Sequence, residues 1–192
     1  VRHFMPHLPY IQNSVIFDDS KSSLKELRRL HQAGKLNEHA ARMWAAHKPL
    51  EELYDLKQDP HELNNLAQSA EHADIKEKLQ AELKRWILEH RDSGFLPEAE
   101  YQVRAAAAGS TPFDIVQDDR TFDLAASLDA AWRVGDDQVA DSTFIAGLQH
   151  AEAGVRYWSV VGLQAQGKLS DEAATALSNA LDDPSPAVRI AA

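Results

Sequence analysis

The chain has no cysteine in its 192 residues. That excludes disulfides, thiolate metal ligands and a cysteine nucleophile, and leaves the compartment open. It has no apolar run near the roughly 20 residues that cross a bilayer, and no signal-peptide pattern at its beginning. It is short of positive charge: Lys and Arg number 20 against 30 Asp and Glu, a formal net charge of −10. That balance argues against nucleic acid or an anionic membrane as the main partner. What is present is a composition that folds. Hydrophobic residues make up 44% of the chain, and the length suffices for one or two domains with real cores. Val1 at one end, and Ala191 and Ala192 inside a predicted helix at the other, are read as cut ends. The expectation is a fragment of a longer chain.

Residues 1–4 are read as the tail of a strand. The stretch MPHLPYIQ, residues 5–12, holds two prolines and is predicted as an ordered loop anchored by Tyr10. Ser23 and Glu26 form a capping-box pattern that predicts a helix to His31, stopped at Gly34. Asn37 is placed to cap a second helix running to about His47, ended by Pro49. Residues 51–56 alternate loosely, with Tyr54 and Leu56 on one face, and predict a half-buried strand. Lys57 and Gln58 make a turn. Asp59, Pro60 and Glu62 then carry the signals of a capped helix start. A long helix is predicted over about 73–90. Ile75, Leu79, Leu83, Trp86, Ile87 and His90 recur at helical spacing and predict one buried face. Gly94 and Pro97 end it. Another helix is predicted over 98–108, closed by Gly109.

Beyond residue 118 the chain becomes alanine-rich and repeats at an offset of 33 residues. Phe144 aligns with Leu177, Leu148 with Leu181, Val155 with Val188 and Arg156 with Arg189; AGVR at 153–156 matches PAVR at 186–189. A weaker copy covers 124–135. Paired helices at such a period predict an α-solenoid, and the Val-Arg start of the second helix resembles HEAT-like repeats. The last copy is cut after one turn of its second helix. The expected organisation is 1–100, a linker helix region at 101–118, and helical repeats at 119–192.

The stretch EELYDLKQDPHELNNLA, residues 51–67, resembles the C-terminal segment of type I sulfatases, whose pattern is roughly E-L-Y-D-L, a short turn, D-P-x-E and N-L-A. Glu52, Leu53, Tyr54, Asp55, Leu56, Asp59, Pro60, Glu62, Asn65, Leu66 and Ala67 fit it. VRHFMPHLPY before the stretch, and Leu83 to Trp86 with Arg91 and Asp92 after it, keep the order of heparan-sulfatase-like members. The resemblance spans about residues 1–100. It implies an α+β, mostly helical fold: a small antiparallel sheet with a helix packed across it, followed by the α-α repeats. It also implies a parent that hydrolyses sulfate esters or N-sulfates. Such enzymes use a formylglycine made from Cys or Ser in a C/S-x-P-S/A-R motif, with Ca²⁺ or Mg²⁺ held by carboxylates and an Asn. Neither is legible here; Ser185 to Arg189 lacks the motif's spacing. By the resemblance, nucleophile and metal belong to an N-terminal domain outside this chain. That domain is the expected partner, alongside a homo-oligomer or a protein held by the repeats. Periplasmic or secreted localisation follows from the resemblance alone.

No catalytic and no metal-ligating residue is assigned. His3 and His7 stand four apart, the spacing of helical metal ligands, but Pro6 between them argues against a helix. They are read as loop-packing histidines. The alternative drawn from the resemblance is that His3, His7 and Tyr10 contact a sulfated sugar, histidine through charge and tyrosine by stacking. Arg28, Arg29 and Lys35 read as a solvated basic helix face, with attraction of a sulfated glycan as the alternative. The pairs Asp118-Asp119, Asp136-Asp137 and Asp182-Asp183 read as turn and cap residues rather than Ca²⁺ ligands. Arg156 and Arg189 read as a ladder bonding neighbouring helix ends, and Trp132, Tyr157 and Trp158 as inter-helix filling. A non-catalytic helical-repeat scaffold is the competing reading of the whole chain.

Overall fold

In the computed structural model, which describes residues 1–11 and 21–192, regular structure is helical. The chain divides into two units, Val1–Ala67 and Gln68–Ala192. The boundary falls inside the span of the sulfatase resemblance.

The antiparallel sheet expected in the first unit is not there among the described residues. One antiparallel bridge, Arg2 to Glu51, is all that forms. Around it His3 N–H donates to Leu50 O at 3.0 Å and Glu52 N–H to Val1 O at 3.0 Å. The reason lies in the flanks. Pro6 and Pro49 close the pairing within a few residues, and proline supplies no amide for a ladder. Past Glu52 the backbone partners change. The Asn65 side chain takes the place of a neighbouring strand: it accepts from Leu53 N–H at 3.0 Å and donates to Glu51 O at 2.9 Å. Leu66 N–H then donates to Leu53 O at 2.8 Å. The α+β expectation is therefore corrected to an all-helical one, and its helical part stands.

The helix expected after Asp59 is also absent. Asp59 accepts from Asn64 N–H at 2.7 Å, which closes a loop instead of a helix turn. Glu62 sits at φ +55°, a left-handed conformation that helix cannot continue. The expected first helix is α1 (Ser22–Gln32), but its N-cap is Lys21, with no side-chain cap. Glu26 is bonded to Arg29 at 2.7 and 2.8 Å rather than reaching back to complete a capping box. Gly34, at φ +64°, stops it as expected. Asn37 caps α2 (Glu38–Ala41) by accepting from Ala40 N–H at 2.8 Å. That helix tightens into a 3₁₀ turn over Arg42–Trp44 and ends earlier than expected.

In the second unit α3 (Ala73–Glu89) matches the expected long helix, but not its burial. Ile87 is its buried residue; Ile75, Leu79 and Trp86 are exposed. The 3.6-residue period specifies a stripe and not what covers it. Arg91, at φ +50°, turns the chain out of the helix, and its guanidinium bonds Val116 O at 2.6 Å and Phe122 O at 3.2 Å. There follow α4 (Glu98–Ala108), α5 (Pro112–Gln117) and α6 (Leu124–Trp132). Thr111 and Asp114 form a reciprocal capping box at the start of α5.

The last four helices are α7 (Asp141–Gly147), α8 (Ala153–Ala165), α9 (Asp171–Ala180) and α10 (Pro186–Ala191). Phe144, Leu148, Val160, Leu163, Leu177 and Val188 build a common core between them. The offset of 33 residues is visible in the bonding. Arg156 Nη1 donates to His150 O and Ala151 O, each at 2.9 Å. Arg189 Nη1 donates to Asp183 O at 2.6 Å and Pro184 O at 3.1 Å, the carbonyls 33 positions on. Arg156 also makes a two-pronged pair with Asp183 at 2.8 and 2.9 Å, the expected arginine ladder. Trp158 is buried with its indole N–H on Phe95 O at 3.0 Å. Trp132 lies beneath Lys84, whose Nζ is 4.2 Å from the ring centroid. Among the described residues no helix is long and apolar enough to cross a membrane.

Candidate functional site

The first unit carries the most built-up polar constellation, and Glu52 is its centre. The extended backbone at 51–54 sends Glu52 and Tyr54 to one side, because side chains two apart share a face. The Glu52 side chain is 10% exposed. Its carboxylate accepts from His3 Nε2 at 2.9 Å, from Tyr54 OH at 2.8 Å and from Tyr10 OH. A carboxylate only accepts, so His3 carries its proton on Nε2. The His3 and Tyr10 rings meet edge to face, 5.6 Å apart at 86°. Burial alone would discourage ionisation of Glu52, but the three donors outweigh it and hold its carboxyl below the ordinary value. Burial and the same hydrogen bond push the Tyr54 phenol up to about 12, and Tyr10 is raised as well.

Part of this network borders a groove of about 610 Å³. Tyr10, Glu52 and Tyr54 line it on one side; Arg42, His47, His61 and Glu62 contribute the rest of its polar lining. Among the described residues the Arg42 side chain makes one hydrogen bond, from Nη1 to Leu63 O at 2.7 Å, and no ion pair. His47 spends Nδ1–H on His7 O at 3.2 Å. The 3₁₀ turn after α2 sets Arg42, and the turn that replaces the expected helix at Asp59 sets His61 and Glu62.

The three residues singled out in the sequence therefore take different places. Tyr10 lines the groove. His3 lies behind it and holds Glu52. His7 does not line it; its Nδ1 is buried without a hydrogen-bond partner among the described residues, and burial, then Lys48 and His47, lower its pKa. His3 and His7 are not drawn together as metal ligands. Among the described residues no three His, Asp or Glu side chains converge in that way. Arg42, His47, Glu52, Tyr54 and His61 were not singled out. Glu52 and Tyr54 carried a signal, two polar residues at period two in an extended stretch. Arg42, His47 and His61 carried none, because tertiary turns bring them together. The acidic pairs behave as turn residues: Asp118 accepts from Arg120 N–H at 2.9 Å, Asp136 from Gln138 N–H at 2.9 Å and Asp183 from Ser185 N–H at 2.7 Å.

The first unit thus holds a small polar and aromatic cleft set in loops and short helices. Sequence comparison finds similarity to a sulfatase over part of the chain. Over 100 residues the chain is 37% identical to an ulvan-active sulfatase of Formosa agariphila. The match covers 52% of this chain and 17% of that protein, so the chain is related to a sulfatase over about half its length and spans under a fifth of that relative. No family profile and no solved structure matches the chain.

Proposed function

We propose that this chain serves as the C-terminal part of a sulfate-ester hydrolase. The similarity to the ulvan-active sulfatase carries the reading. The formylglycine nucleophile and the Ca²⁺ or Mg²⁺ site then lie in a catalytic portion outside these 192 residues; this chain has no cysteine and no C/S-x-P-S/A-R motif. Its part is to complete and support that portion. The exposed stripe of Ile75, Leu79 and Trp86 on α3 supports this, since an uncovered apolar helix face of that kind suits docking against protein. Tyr10 meets a sulfated sugar directly and His3 acts behind it through Glu52. The four helices α7 to α10 are HEAT-like repeats that pack on the enzyme or hold a second copy.

The test is sulfate release from sulfated ulvan oligosaccharides and from an aryl sulfate. The 192-residue chain alone is expected to give no turnover, and the product of the whole reading frame that encodes it to turn over. Turnover by the isolated chain would overturn the division of labour. A whole product that is inert and lacks the nucleophile motif would favour the second reading, a helical-repeat scaffold. That reading draws its support from the repeated Arg156 and Arg189 geometry.

A further inference from the structure

We propose that residues 5–11 form an acid-sensitive strap: His7 seats it against residues 43–50 while its imidazole is neutral, and protonation of His7 loosens it and opens one side of the groove. The inference goes beyond the sulfatase reading and does not depend on it.

Residues 5–11 include no helix or strand, and Pro6 and Pro9 have no amide to give a ladder. Single bonds hold the segment instead. Lys48 N–H donates to Pro6 O at 2.8 Å, and Ile11 N–H to Met43 O at 3.2 Å. His47 Nδ1–H donates to His7 O at 3.2 Å, and Lys48 Nζ to Pro9 O at 3.4 Å. The two segments also share the groove. Tyr10 comes from the strap, and Met43, Ala45, His47 and Pro49 come from the segment it is bonded to. A strap that lifts therefore takes Tyr10 away from the groove and from Glu52.

His7 is the group at this seam that an added proton upsets. Its Nδ1 is buried with no hydrogen-bond partner among the described residues. A neutral ring with its proton on Nε2 leaves Nδ1 bare. An imidazolium carries N–H on both nitrogens, so protonation leaves a buried N–H at Nδ1 without an acceptor, and a charge with it. The groups that face the ring add to this. Lys48, and His47 when charged, repel a positive charge on His7, and among the described residues no carboxylate acts on the ring to offset them. Burial first, then Lys48 and His47, hold the His7 pKa below its ordinary value. The fold thus favours the neutral ring. The strap's hold is full above about pH 6.5 and weakens as pH falls below it. Glu52 has no part in that window, because its own contribution is lost only below about pH 4.3.

The test is amide hydrogen exchange of the full 192-residue chain by NMR between about pH 7.5 and about pH 5, with rates corrected for the chemical pH dependence of exchange. The Lys48 and Ile11 amides are expected to lose protection by about threefold or more as pH falls through the His7 titration. That titration is read in the same samples from the imidazole C–H signal, with its midpoint expected below about 6.5. The Val160 and Leu163 amides of α8 should keep their protection. His7→Gln and His7→Phe remove the titrating ring, so in both the Lys48 amide should be protected alike at the two ends of the range. Lys48→Met keeps the amide and removes the neighbouring charge. It should raise the His7 midpoint toward 6.5 and shrink the loss. Circular dichroism at about pH 7.5 shows whether each variant is folded, and Lys48→Met decides the matter if neither His7 variant folds. Lys48 protection that holds unchanged down to about pH 5 overturns the proposal, as does a His7 midpoint at or above about 6.5. The same loss in a folded His7 variant, an unmoved His7 midpoint in Lys48→Met, or an equal loss in α8 overturns it too.

Discussion

Glu52 shows how one side chain organises a unit that has little regular structure. Three donors from positions 3, 10 and 54 converge on it, so it ties the chain's beginning to the extended stretch. Hydrogen bonds to a charged group are worth about 1.5–3 kcal/mol each, and an amide still accepts some of them. Glu52→Gln is therefore expected to destabilise the first unit by about 1–3 kcal/mol in urea unfolding. The pH dependence has two limbs. The folded Glu52 carboxyl lies below its ordinary value, so its contribution is full above about 4.3 and is lost as pH falls through the lower folded value. The Tyr54 phenol is raised to about 12. Its contribution is full below about 10 and is lost as pH rises through about 12. In Glu52→Gln the acid limb should flatten. Tyrosinate absorbance should show Tyr54 titrating closer to 10; an unmoved alkaline titration would mean that burial alone raises it.

At the scale of elements, close approach decides which helices meet. A Cβ on Gly162 of α8 would lie 2.2 Å from Phe144 Cε1 of α7, and Phe144 is buried. The ring has nowhere to go, so Gly162→Ala is expected to cost about 1–3 kcal/mol as an overpacked core. Adding Phe144→Leu should recover part of that loss in thermal unfolding, and strict additivity of the two would show that the ring is not the obstacle. Elements of this kind were legible where the signal is local. Gly34 and Gly109 stop helices at left-handed positions, Asn37 caps α2, and the offset of 33 residues lands on equivalent carbonyls. Elements set by distant partners were not. Asp59, Pro60 and Glu62 carry every mark of a helix start, yet Asn65 is held by Glu51 and Leu53, and the segment stays a loop. The strand at 51–56 failed in a related way: past Glu52, the Leu53 amide is answered by the Asn65 side chain. Of the groove's lining, Tyr10 is the residue singled out in the sequence; Glu52 and Tyr54 come from the extended stretch, and Arg42, His47 and His61 are brought in by tertiary turns.

For the larger unit, Arg104 binds together segments that are far apart in the chain. From α4 it bonds Glu100 at 2.9 Å, Thr121 O, and Glu152 at 2.7 and 3.3 Å. Glu152 in turn caps α8 through Gly154 N–H at 3.0 Å and holds Asp123 N–H at 3.2 Å, while Glu100 takes the Ser185 hydroxyl at the start of α10. Four helix starts or flanks thus share one guanidinium. Burial opposes ionisation of Glu152, and Arg104 overcomes it, holding that carboxyl below its ordinary value. Removing one member of a buried pair leaves the other charge uncompensated, at about 3–5 kcal/mol. The Arg104 side chain is 20% exposed, so water takes part of that, and Arg104→Met is expected to cost about 2–3 kcal/mol. The loss should appear in hydrogen exchange as faster opening of α4, α8 and α10, with the Leu53 amide of the first unit keeping its protection. The variant should also lose the stabilisation by the Glu152 carboxylate above about pH 4.3, so its stability should fall less on acidification than that of the parent. A cost below about 0.5 kcal/mol would place Arg104 among ordinary surface ion pairs. The helix starts would then be held by apolar packing, with Phe122, Trp158 and Val188 as the residues to vary next.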